Sequence, residues 1–281
     1  MNKPFFNQVT ILGLGLIGGS LGMAIRKRGI ARRVVGVARS SVTLRRAKAK
    51  GAIDEGTTRL ANALTGSDLV VMATPPATVL PVAQEIAKLT QHRLILTDVA
   101  STKGEIVQAL ERFLPKRISV VGGHPMAGSE RSGIQVASDT LFDGAVCLLT
   151  PTARTSKDAL SKMSSLWRGL GSRVVCVSPR RHDLLVAQVS HLPHMAAVGL
   201  LLSASRDSLK VTGRGFSDAT RIGLSDPELW FQICMTNRRE IAQAVDRFLK
   251  TLAQLKGDLA SGRKKALLRK LATAQRIRAG L

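Results

Sequence analysis

Gly13, Gly15 and Gly18 stand in the spacing G-x-G-x-x-G within Ile11-Leu-Gly-Leu-Gly-Leu-Ile-Gly-Gly-Ser20. The spacing has a chemical reason. One glycine permits a tight turn, one lets a pyrophosphate approach the backbone, and one allows close helix-on-strand packing where the helix N-terminus meets the phosphates. The turn follows a short apolar strand that begins near Gln8 and Val9, and it opens an apolar helix that runs to about Arg28. That is the context a dinucleotide site requires. Gly13, Gly15, Leu16, Ile17 and Gly18 are the expected contacts. On the glycines alone, a tight turn with no ligand stays open as an alternative.

The next run, Arg32-Arg-Val-Val-Gly-Val37, reads as the second strand. NAD-binding units place an acid at this strand end, about 20 residues beyond the glycines, to bond the ribose hydroxyls. Here no acidic residue occurs before Asp54, and Arg39 and Ser40 occupy the place, with Arg45 and Arg46 shortly after. These residues suit a 2′-phosphate, so NADP is expected over NAD. The alternative for Arg39 is an ordinary solvated charge at a strand end.

Elements that must position this chemistry alternate as a doubly wound parallel sheet requires. Asp68-Leu-Val-Val-Met-Ala-Thr74 is a buried strand ending at Pro75, 79–89 a helix, and Arg93-Leu-Ile-Leu-Thr-Asp98 the next strand. A helix over 101–111 follows, with Ser101 as N-cap candidate. The run 118–121 is a strand ending at Gly122-Gly123-His124. Ligands sit beyond the carboxyl ends of parallel strands, so Thr74, Pro75, Ser101 and His124 should share one crevice with the glycine turn. Two further strands, 145–149 and 173–177, flank a helix over 156–169. Beyond Pro179 strand-like runs disappear, and helices are expected over 183–209, near Asp218, over 227–255 and over 263–278. The division is a Rossmann-type dinucleotide-binding domain, 1–179, and an all-helical domain, 180–281. The apolar stripes of the long helices are too extensive for a small unit to bury alone, so a homodimer is expected through them.

Composition bounds the alternatives. The chain has 281 residues and a net charge of +23, from 42 basic and 19 acidic residues, which raises a nucleic-acid-binding reading. Against it, aromatics make up 3%, there is no tyrosine, and no stretch interleaves basic and aromatic residues. No nucleic-acid partner is expected. The field of so many bases would instead concentrate a small polyanionic substrate or cofactor. Cys147, Cys176 and Cys234 are scattered through apolar segments, which suits buried thiols in a reducing compartment and hence the cytoplasm. The uncharged run after Lys3 serves the glycine turn and is not read as a signal peptide. No other segment is expected to be apolar for long enough to span a membrane.

Four stretches carry a family resemblance: Gly13-Leu-Gly-Leu-Ile-Gly-Gly-Ser20, Asp98-Val-Ala-Ser-Thr-Lys103, Gly123-His-Pro-Met-Ala-Gly-Ser-Glu130, and Ser190-His-Leu-Pro-His194 with Phe216-Ser-Asp-Ala-Thr-Arg-Ile222 downstream. The chain resembles the prephenate/arogenate dehydrogenases of tyrosine biosynthesis along nearly its whole length. The resemblance implies an oxidative decarboxylation, in which a ring carbinol gives hydride to nicotinamide while carbon dioxide leaves and the ring aromatises. It implies His124 as the base on the hydroxyl, a task suited to a neutral imidazole. Ser101 matches the family's active-site serine, holding the hydroxyl or the histidine in line.

Arg221 matches a carboxylate clamp, for which a planar guanidinium offers two parallel hydrogen bonds. Its alternative is a structural pair with Asp218 or Asp226. By the same resemblance His182 and His194, ahead of His191, contact substrate, and Trp230 reaches the neighbouring subunit's pocket, with a core or interface role as alternative. Glu130 matches an acid near the cofactor. His191-x-x-His194 is not read as a metal pair, because Pro193 intervenes and hydride transfer to nicotinamide needs no metal. The expected substrate is arogenate or prephenate, with arogenate ahead because NADP use and a compact chain resemble the arogenate-type members. An acid at the substrate's side-chain end would favour arogenate, and Asp183 and Asp218 are candidates by their proximity to His182 and Arg221. The rival of the same class is another two-domain hydroxyacid or imino-acid dehydrogenase.

Overall fold

The computed structural model describes residues 5–280. Its first unit is a parallel sheet of β1 (Phe6–Leu12), β2 (Ala31–Val37), β3 (Glu55–Thr57), β4 (Leu69–Met72), β5 (Leu94–Asp98) and β6 (Ile118–Val120). They are ordered β3-β2-β1-β4-β5-β6. β4 and β5 are buried along their whole length and β1 nearly so, as strands covered on both faces must be. The crossovers are α1 (Leu16–Lys27), α2 (Ser41–Ala49), α3 (Leu60–Leu64), α4 (Pro76–Leu89) and α5 (Gly104–Phe113). One core gathers Ile11, Leu21, Ile25 and Trp167, and the other Val70, Met72, Leu96 and Leu110. Strand order reverses between β1 and β4, and this switch point opens the crevice beyond their carboxyl ends.

After β6 the chain leaves this sheet. β7 (Gly122–Pro125) runs antiparallel to β8 (Val146–Thr150), which pairs in parallel with β9 (Arg173–Cys176) across α6 (Lys157–Gly169). The expected strands 145–149 and 173–177 therefore belong to a second sheet of three strands. His124 lies within a strand, opposite Leu148, where the sequence placed it on the loop after one. Neighbouring Gly123 brings β7 against the end of β5, since a Cβ there would stand 3.2 Å from the Asp98 carbonyl oxygen.

The second unit comprises α7 (Pro179–Val186), a π turn (Ala187–His191), α8 (Leu192–Ser203), α9 (Arg214–Thr220), α10 (Pro227–Thr236), α11 (Arg238–Ala260) and α12 (Lys264–Ala279). Asp226 caps α10 by accepting from the Leu229 amide at 2.9 Å, with Pro227 in the first helical position. Two boundaries differ from expectation. The helix expected over 183–209 starts at Pro179, where the Ser178 hydroxyl caps the Arg181 amide, and ends at Ser203. The helix expected over 227–255 breaks at Asn237.

Pro179–Ser203 also corrects the expectation of no further membrane-length apolar segment. It is 25 residues long with a hydropathy of 1.5 in its most apolar window. Buried within it are His182, Asp183, His191 and His194, so its apolarity surrounds a polar cluster.

Candidate active site

Gly13 takes φ +89°, and a Cβ there would stand 2.4 Å from the Ala73 carbonyl oxygen. A Cβ on Gly18 would stand 1.9 Å from the Gly13 oxygen. Neither position admits a side chain. Around Gly15, by contrast, nothing lies within 4 Å of a Cβ, and this residue is the N-cap of α1 with no side chain capping the helix. Open space before uncapped first-turn amides is a cradle for an anion.

The cradle opens into a cavity of about 790 Å³ lined by Gly13, Gly15, Arg39, Ser40, Thr74 and Pro75, all expected from the sequence. Leu16, Ile17 and Gly18 are absent from this lining, and so are Ser101 and His124, which were expected in the same crevice. Ile17 packs on the core, and Gly18 is pressed against Gly13. The cavity is also lined by Thr43, Arg46, Thr58, Thr78, Glu85 and Gln135. Arg46 follows on α2, shortly after Arg39, and was legible, whereas Gln135 arrives from the connection between the second-sheet strands and had no local signal. The Ser40 hydroxyl caps α2 by accepting from the Val42 amide at 3.2 Å. Asp54 is not available as a ribose acid, because its carboxylate holds Arg26 at 2.8 Å and the Val34 amide at 2.7 Å. A phosphate-bearing dinucleotide fits this donor set.

Beyond β5 and β7 lies a line of three side chains. His124 Nδ1 is 2.9 Å from His182 Nε2, and His182 Nδ1 is 2.8 Å from an Asp183 carboxylate oxygen. A carboxylate only accepts, so His182 donates from Nδ1 and must accept at Nε2. His124 therefore donates from Nδ1 and keeps the Nε2 lone pair free to act as a base. Of the two rings, His182 is wholly buried and His124 is 7% exposed. Burial, then the neighbouring His182, Lys103 and His191, hold the His124 pKa well below the ordinary imidazole range. Burial also lowers His182, against the opposing pull of Asp183. Both rings are neutral at physiological pH.

Lys103 is the fully buried cation behind them. Its ammonium donates to the Asp98 carboxylate and to the Ala100 and Thr102 carbonyls, at 2.7 and 3.1 Å for the latter two. Three protons thus meet three acceptors, which a buried charge needs.

The Asp183 carboxylate does more than end the line: it accepts the Lys103 amide at 2.8 Å and the Gly104 amide at 2.7 Å. It caps α5 from across the domain boundary. The Ser101 cap expected there is corrected accordingly. Helix α5 starts at Gly104, and the half-buried Ser101 hydroxyl makes no hydrogen bond among the described residues. The Asp183 carboxylate is committed to the Lys103 and Gly104 amides and to His182. The two ring nitrogens of His182, expected on substrate, are paired with His124 and Asp183.

Arg221 pairs with Glu130, not with Asp218 or Asp226. Glu130's own backbone amide, followed by Arg221, draws its carboxyl below the usual carboxylate range. His194 stacks face to face on Trp230, with ring centroids 3.5 Å apart and planes within 2°. Trp230 thus rests on a histidine of its own chain. His191 stands perpendicular to the same indole at 6.0 Å. Among the described residues, buried His191 Nε2 and His194 Nδ1 have no hydrogen-bond partner.

Residues 21–176 match the model of the prephenate dehydrogenase nucleotide-binding domain, and residues 178–273 that of the prephenate dehydrogenase dimerization domain. The prephenate dehydrogenase of Bacillus subtilis is 32% identical over 98% of this chain and 76% of its own. A crystal structure of prephenate dehydrogenase from Aquifex aeolicus with hydroxyphenyl propionate and NAD+ superposes with a TM-score of 0.90 at 33% identity, covering 99% of this chain and 98% of that one. Synechocystis arogenate dehydrogenase gives 0.82 at 29% identity, covering 96% and 98%. With both domain models matched in order and such relatives aligned over nearly its full length, the chain belongs to the prephenate dehydrogenase family of nicotinamide-dependent oxidoreductases.

Proposed function

We propose that the chain catalyses the oxidative decarboxylation of arogenate or prephenate, with NADP preferred over NAD and arogenate the better substrate. The observation that carries the reading is the line His124–His182–Asp183, which starts from β7. The bound dinucleotide supplies the hydride acceptor. His124 takes the carbinol proton at Nε2, and its Nδ1 proton stays directed at His182. The imidazolium so formed is held by a neutral ring backed by a carboxylate. Ser101, whose hydroxyl is uncommitted, orients the substrate hydroxyl. Arg221 binds a substrate carboxylate by exchanging Glu130 for it, a like-for-like swap of carboxylate partners. His194 and Trp230 form an apolar and aromatic wall, and His191 adds a donor.

The cofactor preference is supported by Arg39, Ser40 and Arg46 on the cavity lining while Asp54 is engaged elsewhere. The substrate preference is supported by Asp218, an exposed carboxylate close in sequence to Arg221, which matches an ammonium group. A homodimer through the helical domain is part of the proposal, with Leu202, Leu224, Phe231 and Leu259 as exposed apolar surface for it. We place the enzyme in the cytoplasm, where its three free cysteines stay reduced.

Initial rates of reduced-cofactor formation with each substrate and each cofactor test the whole reading. NADP should exceed NAD in kcat/KM by roughly 10-fold or more, a margin that Arg39→Ala erases. A strong preference for NAD in the unmodified chain would end the arginine argument, and no turnover of either cyclohexadiene would end the reaction assignment.

A further inference from the structure

Asn237 stands at the break between α10 and α11, with φ −130° and ψ 27°, and is 5% exposed. Its side chain does not cap α11. It faces the polar cluster instead. The side-chain nitrogen Nδ2 lies 2.9 Å from the Asp183 carbonyl oxygen and 3.2 Å from His191 Nδ1. A carbonyl can only accept, so the atom facing it has to be the amide nitrogen, and the orientation of the amide follows. That nitrogen carries two protons and meets two partners. His191 Nδ1 must therefore offer a lone pair, which leaves the ring proton on Nε2. The opposite tautomer would set two N–H groups against each other in a buried site.

Among the described residues His191 Nε2 is enclosed without a partner at hydrogen-bond geometry, and the Ser101 backbone is the polar group that lies beside the ring. Burial holds His191 down to about pKa 4, so at neutral pH the ring is an uncharged donor. We propose that Asn237 is a positioning residue. It locks His191 as an Nε2–H donor beside the Ser101 turn and ties it to Asp183, the residue that ends the His124–His182 line. One amide thereby fixes the His191 donor and ties it to the residue that orients His124 through His182. The helix break is the structural consequence, because an asparagine with these two internal acceptors leaves helical geometry to reach them.

The kinetic part of this inference rests on the proposed reaction, whereas the tautomer does not, so the two are tested separately. Nitrogen-15 correlation spectra of the imidazoles in the full chain at pH 7.5, with His191 assigned by difference from His191→Gln, should show the Nε2–H form. An Nδ1–H pattern would overturn the proposal outright. In Asn237→Asp the carboxylate can only accept, so the His191 proton should move to Nδ1 and Nε2 should lose its donor. Substrate kcat/KM should then fall roughly 10-fold or more, with the dinucleotide Kd within about twofold of the parent. Asn237→Ala, which imposes no tautomer, should lose less. A folded Asn237→Asp with the parent's tautomer, or with unchanged kcat/KM, would also defeat the proposal. If that variant does not fold, the unmodified chain's spectrum decides. If the unmodified chain turns over neither substrate, the reaction assignment fails while the tautomer remains readable.

Discussion

The dinucleotide crevice and the polar cluster of the helical domain are built on different physical principles. The crevice is made by backbone: Gly13 and Gly18 are excluded from carrying side chains by carbonyl oxygens 2.4 and 1.9 Å from their Cβ positions. The cluster is made by side chains meeting across long stretches of sequence. His124 reaches His182, Asp183 reaches back to Lys103 and Gly104, Asn237 reaches Asp183 and His191, and Arg221 reaches Glu130. A backbone-built site constrains residue types at fixed local spacing. A site built from side chains constrains partners, and no spacing records them.

This contrast implies that the two regions can be damaged separately, and the largest expected effect is on the cluster. His124→Asn keeps an amide able to donate to His182 while removing the base. Its kcat should fall by about 10²–10⁴, the usual contribution of a general base, with dinucleotide affinity unchanged. Stopped-flow turnover together with a cofactor titration measures both. A variant that turns over at the parent rate would remove His124 from the chemistry, and one that loses cofactor binding as well would mean the regions are not separable.

The second test lies within the crevice. Gly13→Ala forces a Cβ into the Ala73 carbonyl at a positive φ, and should cost about 3 kcal/mol or prevent folding. Gly15→Ala meets open space, so its unfolding free energy should stay within about 0.5 kcal/mol of the parent while dinucleotide Kd rises by roughly 10-fold, since the methyl occupies the approach to the backbone. Urea denaturation and cofactor titration of the two variants check this. Equal loss of stability in both would show that Gly15 serves the fold rather than the ligand.

Legibility followed the same division. The glycine turn, Arg39 and Ser40, Thr74 and Pro75, and the order of strands and helices were readable because each depends on local pattern. The motifs around Ser101, His124 and Arg221 stood out by resemblance, but their partners did not. Nothing near residue 104 announces that a carboxylate 79 residues away caps its helix, so Ser101 looked like the cap. The apolar periodicity of α10 and α11 runs through Asn237, and only its two buried acceptors explain the break. The move of His124 from a loop into β7 depended on pairing with β8, which has no local signature.

The smallest effect expected is a pH dependence of stability, and it belongs to the cluster because no histidine among the described residues lines the cavity. His191 titrates near 4 in the folded chain, against about 6.5 when unfolded, chiefly through burial. A depressed histidine pKa means that the unfolded state binds the proton more readily. Above the unfolded pKa both states are neutral and nothing is lost. As pH falls through 6.5 toward 4, stability declines, and at pH 5.5 His191 alone removes about 1.4 kcal/mol relative to pH 7.5. Burial shifts His124, His182 and His194 in the same direction, so the measured loss should be at least this large. The lowered carboxyls of Asp139 and Asp258 also favour the folded state, but their contribution is lost only as pH falls through the carboxylate range, below the histidine window. Urea unfolding at pH 7.5, 6.5 and 5.5 resolves the window. A flat profile across it would mean that these rings are already paired or protonated in the folded chain, and the neutral His124 on which the proposed proton transfer depends would be lost with it.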